Sequence, residues 1–118
     1  MSNILIVEDE DRLAAFVVKG FQKYGHTTAV AADGAQALKM SQANNYDAIV
    51  LDLGLPVKDG WSVLKELRAQ GSAVPVIVMT ARSECRQAAL AAQANGYLQK
   101  PFRFKELMKA VQGQIENV

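Results

Sequence analysis

Three short apolar runs constrain this chain more than any other feature: Ile4-Leu5-Ile6-Val7, Ala48-Ile49-Val50-Leu51 and Val76-Ile77-Val78-Met79. Runs of this length, unbroken by polar residues and rich in β-branched side chains, read as strands covered on both faces. A strand with one wet face would alternate instead. Thr28-Ala29-Val30-Ala31 and Gly96-Tyr97-Leu98-Gln99 are weaker candidates of the same kind.

Helical patterns separate these runs. Leu13, Phe16, Val17, Gly20, Phe21 and Tyr24 fall on one face at i, i+3, i+4, i+7 spacing, and Gly25 stands where such a helix stops. Asp33 is a good N-cap for a helix from Gly34 to about Asn44. Val63, Leu64 and Leu67 mark a helix from about Gly60 to Gln70, ending at Gly71. Ser83 to about Gln93 is alanine-rich and predicts a fourth helix. Phe104, Leu107, Met108, Val111 and Ile115 give the last one its apolar stripe. The result is an α/β chain, βα repeated five times. Parallel strands joined by right-handed crossovers make an open three-layer sandwich.

With 118 residues the chain suits one domain, 1–118. A net charge of +1 and scattered Lys and Arg argue against nucleic-acid binding by this segment. No apolar stretch approaches the roughly 20 residues of a membrane helix. The first apolar run ends at once in Glu8-Asp9-Glu10-Asp11, unlike a secretory leader. The single cysteine, Cys85, allows no internal disulfide and fits the cytoplasm.

In open parallel sheets, ligands bind beyond the C-terminal strand ends. Glu8 and Asp9 follow the first run, Asp52 ends the third strand, Thr80 the fourth, and the fifth runs into Lys100-Pro101. Three carboxylates, a hydroxyl and an ammonium thus meet at one edge. Clustered carboxylates repel each other unless a cation intervenes. A hard divalent ion such as Mg²⁺, together with Lys100, balances three negative charges. The one histidine, His26, lies far from this edge in the layout, so no zinc set forms. A lone aspartate after a strand is usually a cap or a wet turn. Five such residues at one sheet edge point to function.

These pieces resemble the receiver domains of bacterial two-component response regulators. The likeness rests on Ile4 to Glu10, Asp52-Leu53-Gly54-Leu55-Pro56 with Asp59-Gly60, Met79-Thr80-Ala81-Arg82, and Tyr97 to Phe102, in that order and spacing. The resemblance implies a flavodoxin-like (βα)5 fold of strand order 2-1-3-4-5, the order for which the family serves as a type example. It implies Asp52 as phosphoacceptor, and Mg²⁺ on Glu8, Asp9, Asp52 and the backbone carbonyl of Gly54. It implies Thr80 and Lys100 as the groups that grip the phosphoryl oxygens, Lys100 pairing first with Asp52. Tyr97 would be the switch aromatic, and Lys100-Pro101 a cis peptide. The phosphoryl group would come from a histidine kinase or a histidine phosphotransfer protein. The surface of the fourth helix, fifth strand and fifth helix would then act on an output domain or downstream target. Such a domain is no enzyme in the usual sense, since it catalyses only its own phosphorylation and dephosphorylation.

The chain departs from the family pattern in two places. Thr80 to Lys100 is about two residues short. Gln93-Ala94-Asn95-Gly96 replaces the Gly-Ala-Asp-Asp usual in receivers of winged-helix regulators, and Ala110 stands at their arginine position. These losses argue against dimerisation through that face. Two other functions compete. A pseudo-receiver that only binds partners would be expected to lack Asp52, Lys100 or the acidic pair. Many Mg²⁺-dependent phosphatases with an Asp nucleophile need a second Asp two residues on, where this chain has Gly54.

Overall fold

The computed structural model describes residues 2–82 and 85–115. Five parallel strands form one sheet of order β2-β1-β3-β4-β5: β1 (Asn3–Val7), β2 (Thr27–Ala31), β3 (Ala48–Asp52), β4 (Val76–Thr80) and β5 (Gly96–Gln99). The helices are α1 (Asp11–Lys23), α2 (Gly34–Ala43), α3 (Gly60–Ala69), α4 (Arg86–Ala91) and α5 (Phe104–Ile115).

The unbroken apolar runs have a direct cause. Successive strand residues point to opposite faces, and here both faces are covered. Leu5, Val7, Ile49, Leu51, Val76 and Val78 pack on one side, with Leu38 of α2, Leu64 and Leu67 of α3 and Ala89 of α4. Ile4, Ile6, Val50, Ile77 and Met79 pack on the other, with Val17 and Phe21 of α1 and Leu107, Met108 and Val111 of α5.

Helix ends follow the local chemistry. The Asp33 side chain accepts from Gln36 N–H and that of Asp59 from Ser62 N–H, each capping its helix. Three helices stop in the same way, with a left-handed residue and a pair of reversed hydrogen bonds. Gly25 and Gly71 serve α1 and α3, with φ of 86° and 84°. The third is Gln93 after α4, with φ of 70°.

Two expectations shift. Phe16 and Tyr24, placed on the buried stripe of α1, are 48% and 60% exposed. Phe104 takes the seam instead: its ring lies where a Cβ on Gly20 would be, 2.4 Å away, edge-on to Phe21 and Phe16 and stacked on Tyr24. The fourth helix is shorter than its alanine-rich stretch, covering Arg86–Ala91. The expected start at Ser83 lies outside the described residues.

At the N-terminal edge of the sheet, Arg68 ties α3 to β4 and β5. Its Nε and Nη2 donate to the Gln93 carbonyl at 3.0 and 2.9 Å. Nη1 reaches the Ser72 and Val74 carbonyls at 3.0 and 2.8 Å, and Nη2 also reaches Asn95 Oδ1 at 3.0 Å. All five guanidinium N–H groups are thereby used.

Candidate active site at the C-terminal edge of the sheet

Among the described residues, the buried polar side chains are Glu8, Asp52 and Thr80, each at most 6% exposed. All three stand at C-terminal strand ends. The register explains their meeting: Val7 pairs with Leu51, Asp52 with Met79 and Thr80 with Gln99, so the strands end nearly level. Gly60 lets α3 start close against β3, since a Cβ there would fall 2.3 Å from the Asp52 carbonyl. Between them the chain makes a tight turn in which Lys58 N–H donates to the Pro56 carbonyl, with Val57 at φ 67°. A β-branched residue seldom adopts that conformation, so the loop beside Asp52 is strained.

The Lys100 ammonium sits between two carboxylates, 2.9 Å from Glu8 Oε1 and 3.3 Å from Asp52 Oδ2. Sequence reasoning paired it with Asp52 first; the structure shares it, with Glu8 the nearer partner. Glu8 Oε2 accepts from Glu10 N–H, and Asp52 Oδ1 from Gly54 N–H. Burial pushes the Glu8 carboxyl up from its ordinary value. The Lys100 and Glu10 hydrogen bonds pull against that, and the Asp52 charge adds to it. Burial works against the Lys100 charge, but the bond to Glu8 and the negative field of Asp52 and Glu8 outweigh it and raise its pKa. Lys100 is thus held as a cation.

Glu8, Asp9 and Asp52 each bring a carboxylate oxygen within 4.8 Å of the others, with Asp9 on the exposed side. Three carboxylates and one ammonium leave an excess of two negative charges. That donor set fits a hard divalent cation with oxygen ligands and room for water. Thr80 Oγ1 accepts from Arg82 N–H at 3.1 Å, which leaves its own proton free to donate. The Lys100-Pro101 bond is cis, as expected. The Tyr97 hydroxyl donates to the Arg82 carbonyl, and the Arg86 guanidinium lies 5.9 Å from the Tyr97 ring centre. Tyr97 therefore touches the loop that follows Thr80.

A cleft of about 460 Å³ opens over Asp52, Thr80 and Lys100. Trp61 and Cys85 also line it. In the sequence Cys85 bears only on disulfides and compartment, and a tryptophan at position 61 reads as core or rim packing. Nothing local marks either as a wall of the site, because the fold alone brings the start of α3 against the start of α4.

The sequence model of the response regulator receiver domain family matches residues 4–112. The chain belongs to this receiver family. The receiver resembles the transcriptional regulatory protein PrrA of Mycobacterium tuberculosis, 44% identical over 114 residues, and HprR of Escherichia coli, 38% identical over 114 residues. Each alignment covers 95% of the receiver but 49% and 51% of those proteins, so the chain spans about half the length of these curated relatives. Among solved structures, a Francisella response regulator receiver domain matches with TM-score 0.95 and 36% identity, over 99% of this chain and 98% of that one. The receiver domain of a Pseudomonas aeruginosa sensor histidine kinase, with a magnesium ion coordinated in its active-site cleft, matches with TM-score 0.89 and 37% identity, over 98% of each chain. No described helix is long and apolar enough to cross a membrane.

Proposed function

We propose that Asp52 is the phosphoacceptor of this receiver. The observation that carries the reading is the buried trio at the strand ends, with Lys100 in ion-pair reach of both Glu8 and Asp52. Phosphoryl transfer has a loose transition state, with charge spread over three equatorial oxygens. Its catalysis is mostly positioning and charge stabilisation. The Asp52 carboxylate is the nucleophile and needs no general base. Lys100 swings from Glu8 toward the incoming group and neutralises one oxygen. The Thr80 hydroxyl donates to another. Mg²⁺, held by Glu8, Asp9, Asp52 and the Gly54 carbonyl, supplies the remaining charge neutralisation when bound.

The phosphodonor in this reading is a histidine of a kinase or phosphotransfer protein. An apolar groove of about 530 Å³ supports it: Leu13, Phe16, Pro101 and Phe102 line it, and Lys100 borders both groove and cleft. A helix carrying the histidine can lie there with its imidazole toward Asp52. Occupation of the site draws Thr80 toward the phosphoryl group and moves the loop that Tyr97 holds. The α4–β5–α5 surface changes in response and acts on an output domain or target protein, with the domain in the cytoplasm. The test is incubation with phosphoramidate and Mg²⁺ followed by intact mass measurement. One base-labile phosphoryl group should appear on the wild type and none on Asp52→Asn. Equal uptake by Asp52→Asn would refute the assignment.

A further inference from the structure

Asn95-Gly96 is the one place in this chain where an asparagine precedes a glycine. A glycine nitrogen has no side chain beside it, so it closes on the preceding side-chain amide with little steric hindrance. The surroundings bear on whether that happens. β5 lies at an edge of the sheet and, alone among the five strands, has no buried residue. Asn95 is exposed, and its Nδ2 donates to nothing among the described residues, so that nitrogen is free to leave. Oδ1, by contrast, is held from two sides, by Val76 N–H at 2.9 Å and Arg68 Nη2 at 3.0 Å. The Asn95 N–H donates to the Val76 carbonyl at 2.8 Å. Backbone and side chain of Asn95 are thus both tied to one residue of β4. The side chain cannot swing onto the Gly96 nitrogen while those bonds last.

We propose that Asn95-Gly96 is a deamidation site and that Arg68 is the residue that keeps it closed. The Gly96 nitrogen forms a bond to Asn95 Cγ, and the bond from Cγ to Nδ2 breaks. Nδ2 leaves as ammonia, taking the proton that the Gly96 nitrogen gives up. Water then opens the cyclic imide at one of its two carbonyls, which leaves aspartate or isoaspartate at position 95. No oxidant or cofactor takes part. The ring closes only where the bonds to Arg68 and Val76 are broken, so the rate follows the population of that local opening. Each product has its own consequence. Aspartate supplies the acid that the receiver pattern places at this position, with Arg68 already beside it. Isoaspartate adds a carbon to the main chain just ahead of β5. That shifts Gly96 against Ile77 and Tyr97 against Val78, in the strand that runs into Lys100.

The test is to age the protein in mildly alkaline buffer and map its peptides by mass, with aspartate and isoaspartate at residue 95 separated by chromatography. The wild type in urea sets the rate of the open chain, and the folded wild type should lie well below it. Arg68→Ala should deamidate at residue 95 about tenfold faster than the folded wild type, the population shift expected when a charged hydrogen bond is lost. Val17→Ala separates this local opening from general unfolding. Val17 is buried on the opposite face of the sheet from α3. Adjusted with urea to the same folded fraction as Arg68→Ala, it should stay well below the Arg68→Ala rate. Adding Gly96→Ala to Arg68→Ala should suppress the modification, because a side chain then flanks the attacking nitrogen. An Arg68→Ala rate no higher than that of the folded wild type, or matched by Val17→Ala, overturns the role of Arg68. Absence of the products at residue 95 even in urea, or modification that persists with Gly96→Ala, overturns the site itself.

Discussion

The two edges of the sheet handle charge in opposite ways. At the C-terminal edge Glu8, Asp9 and Asp52 crowd together, one ammonium reaches Glu8 and Asp52, and burial pushes the Glu8 carboxyl up from its ordinary value. At the N-terminal edge Arg68 brings a single charge and surrounds it with carbonyl oxygens. Burial lowers the Arg68 pKa, yet an arginine stays protonated under any ordinary condition. One edge is over-charged until a ligand arrives; the other is complete in the folded chain. Function sits where the polar groups still have something to bind, and stability where they do not.

Single substitutions at each edge sharpen this contrast. Asp52→Asn removes the proposed nucleophile, so uptake from phosphoramidate should fall by more than about a thousandfold. Stripping Mg²⁺ with a chelator should slow uptake in the wild type as well. The same variant removes one of three repelling carboxylates, and its urea midpoint should be no lower than the wild type's. A large loss of stability in Asp52→Asn would mean that the acidic edge is structural after all.

Arg68→Ala is the converse. It strips charged donors from the carbonyls of Ser72, Val74 and Gln93 and from Asn95. Water can replace part of what is lost, because the side chain is only half-buried. A stability loss of about 2–3 kcal/mol by urea unfolding is expected. Phosphorylation should continue within twofold of the wild-type rate, since Arg68 lies at the edge of the sheet away from Asp52. If uptake collapses while the fold persists, the two edges are coupled.

Much of this arrangement was legible in the sequence, for a physical reason. β-Branched runs, Asp33 and Asp59 as caps, and Gly25 and Gly71 as stops are local signals, and the structure has each in place. That Glu8, Asp9, Asp52, Thr80 and Lys100 meet at one edge was findable because strand ends are positions that sequence marks directly. Arg68 was not. Its partners are three backbone carbonyls and the Asn95 side chain, from two separate segments, and nothing in residue identity announces them. Phe16 and Tyr24 misled for a related reason: the stripe of α1 was right, but Phe104 closes the seam over Gly20 and leaves those two rings at its rim. The strand order came with the family resemblance, since five βα units alone permit other orders.

The N-terminal edge also bears on self-association. The receiver pattern leads one to expect an acid at position 95, and the Asn95 Oδ1 found there is turned inward to Val76 N–H and Arg68. Gly96 follows, and a Cβ there would lie 2.7 Å from Ile77 Cδ1. We expect the beryllofluoride-bound form to remain monomeric at micromolar concentration by light scattering. Supplying the missing pair with Gly96→Asp and Ala110→Arg should strengthen self-association by about 1–2 kcal/mol, because a two-fold contact counts each exposed pair twice. A wild-type dimer that Met108 substitution abolishes would show that apolar packing, not ion pairing, makes that face.

The smallest effect is expected at Gln93, and it tests how far the Arg68 clamp outweighs local preference. Three helices end in the same hydrogen-bonded turn, and two of them place glycine at its left-handed position. After α4 the position is taken by Gln93, whose N–H donates to the Leu90 carbonyl while Ala94 N–H donates to that of Ala89. A side chain in that conformation costs about 1–2 kcal/mol. Glycine would remove the cost but give back about 0.5–1 kcal/mol through the greater freedom of the unfolded chain. Gln93→Gly keeps the backbone carbonyl that Arg68 holds, so the clamp survives the change. The net should be a gain of roughly 0.5–1 kcal/mol in urea unfolding, with no change in phosphorylation. The same substitution in the Arg68→Ala background should gain more, because there nothing but the turn itself holds residue 93 in place. Equal gains in the two backgrounds would show that Arg68 grips a turn already formed and does nothing to enforce its geometry.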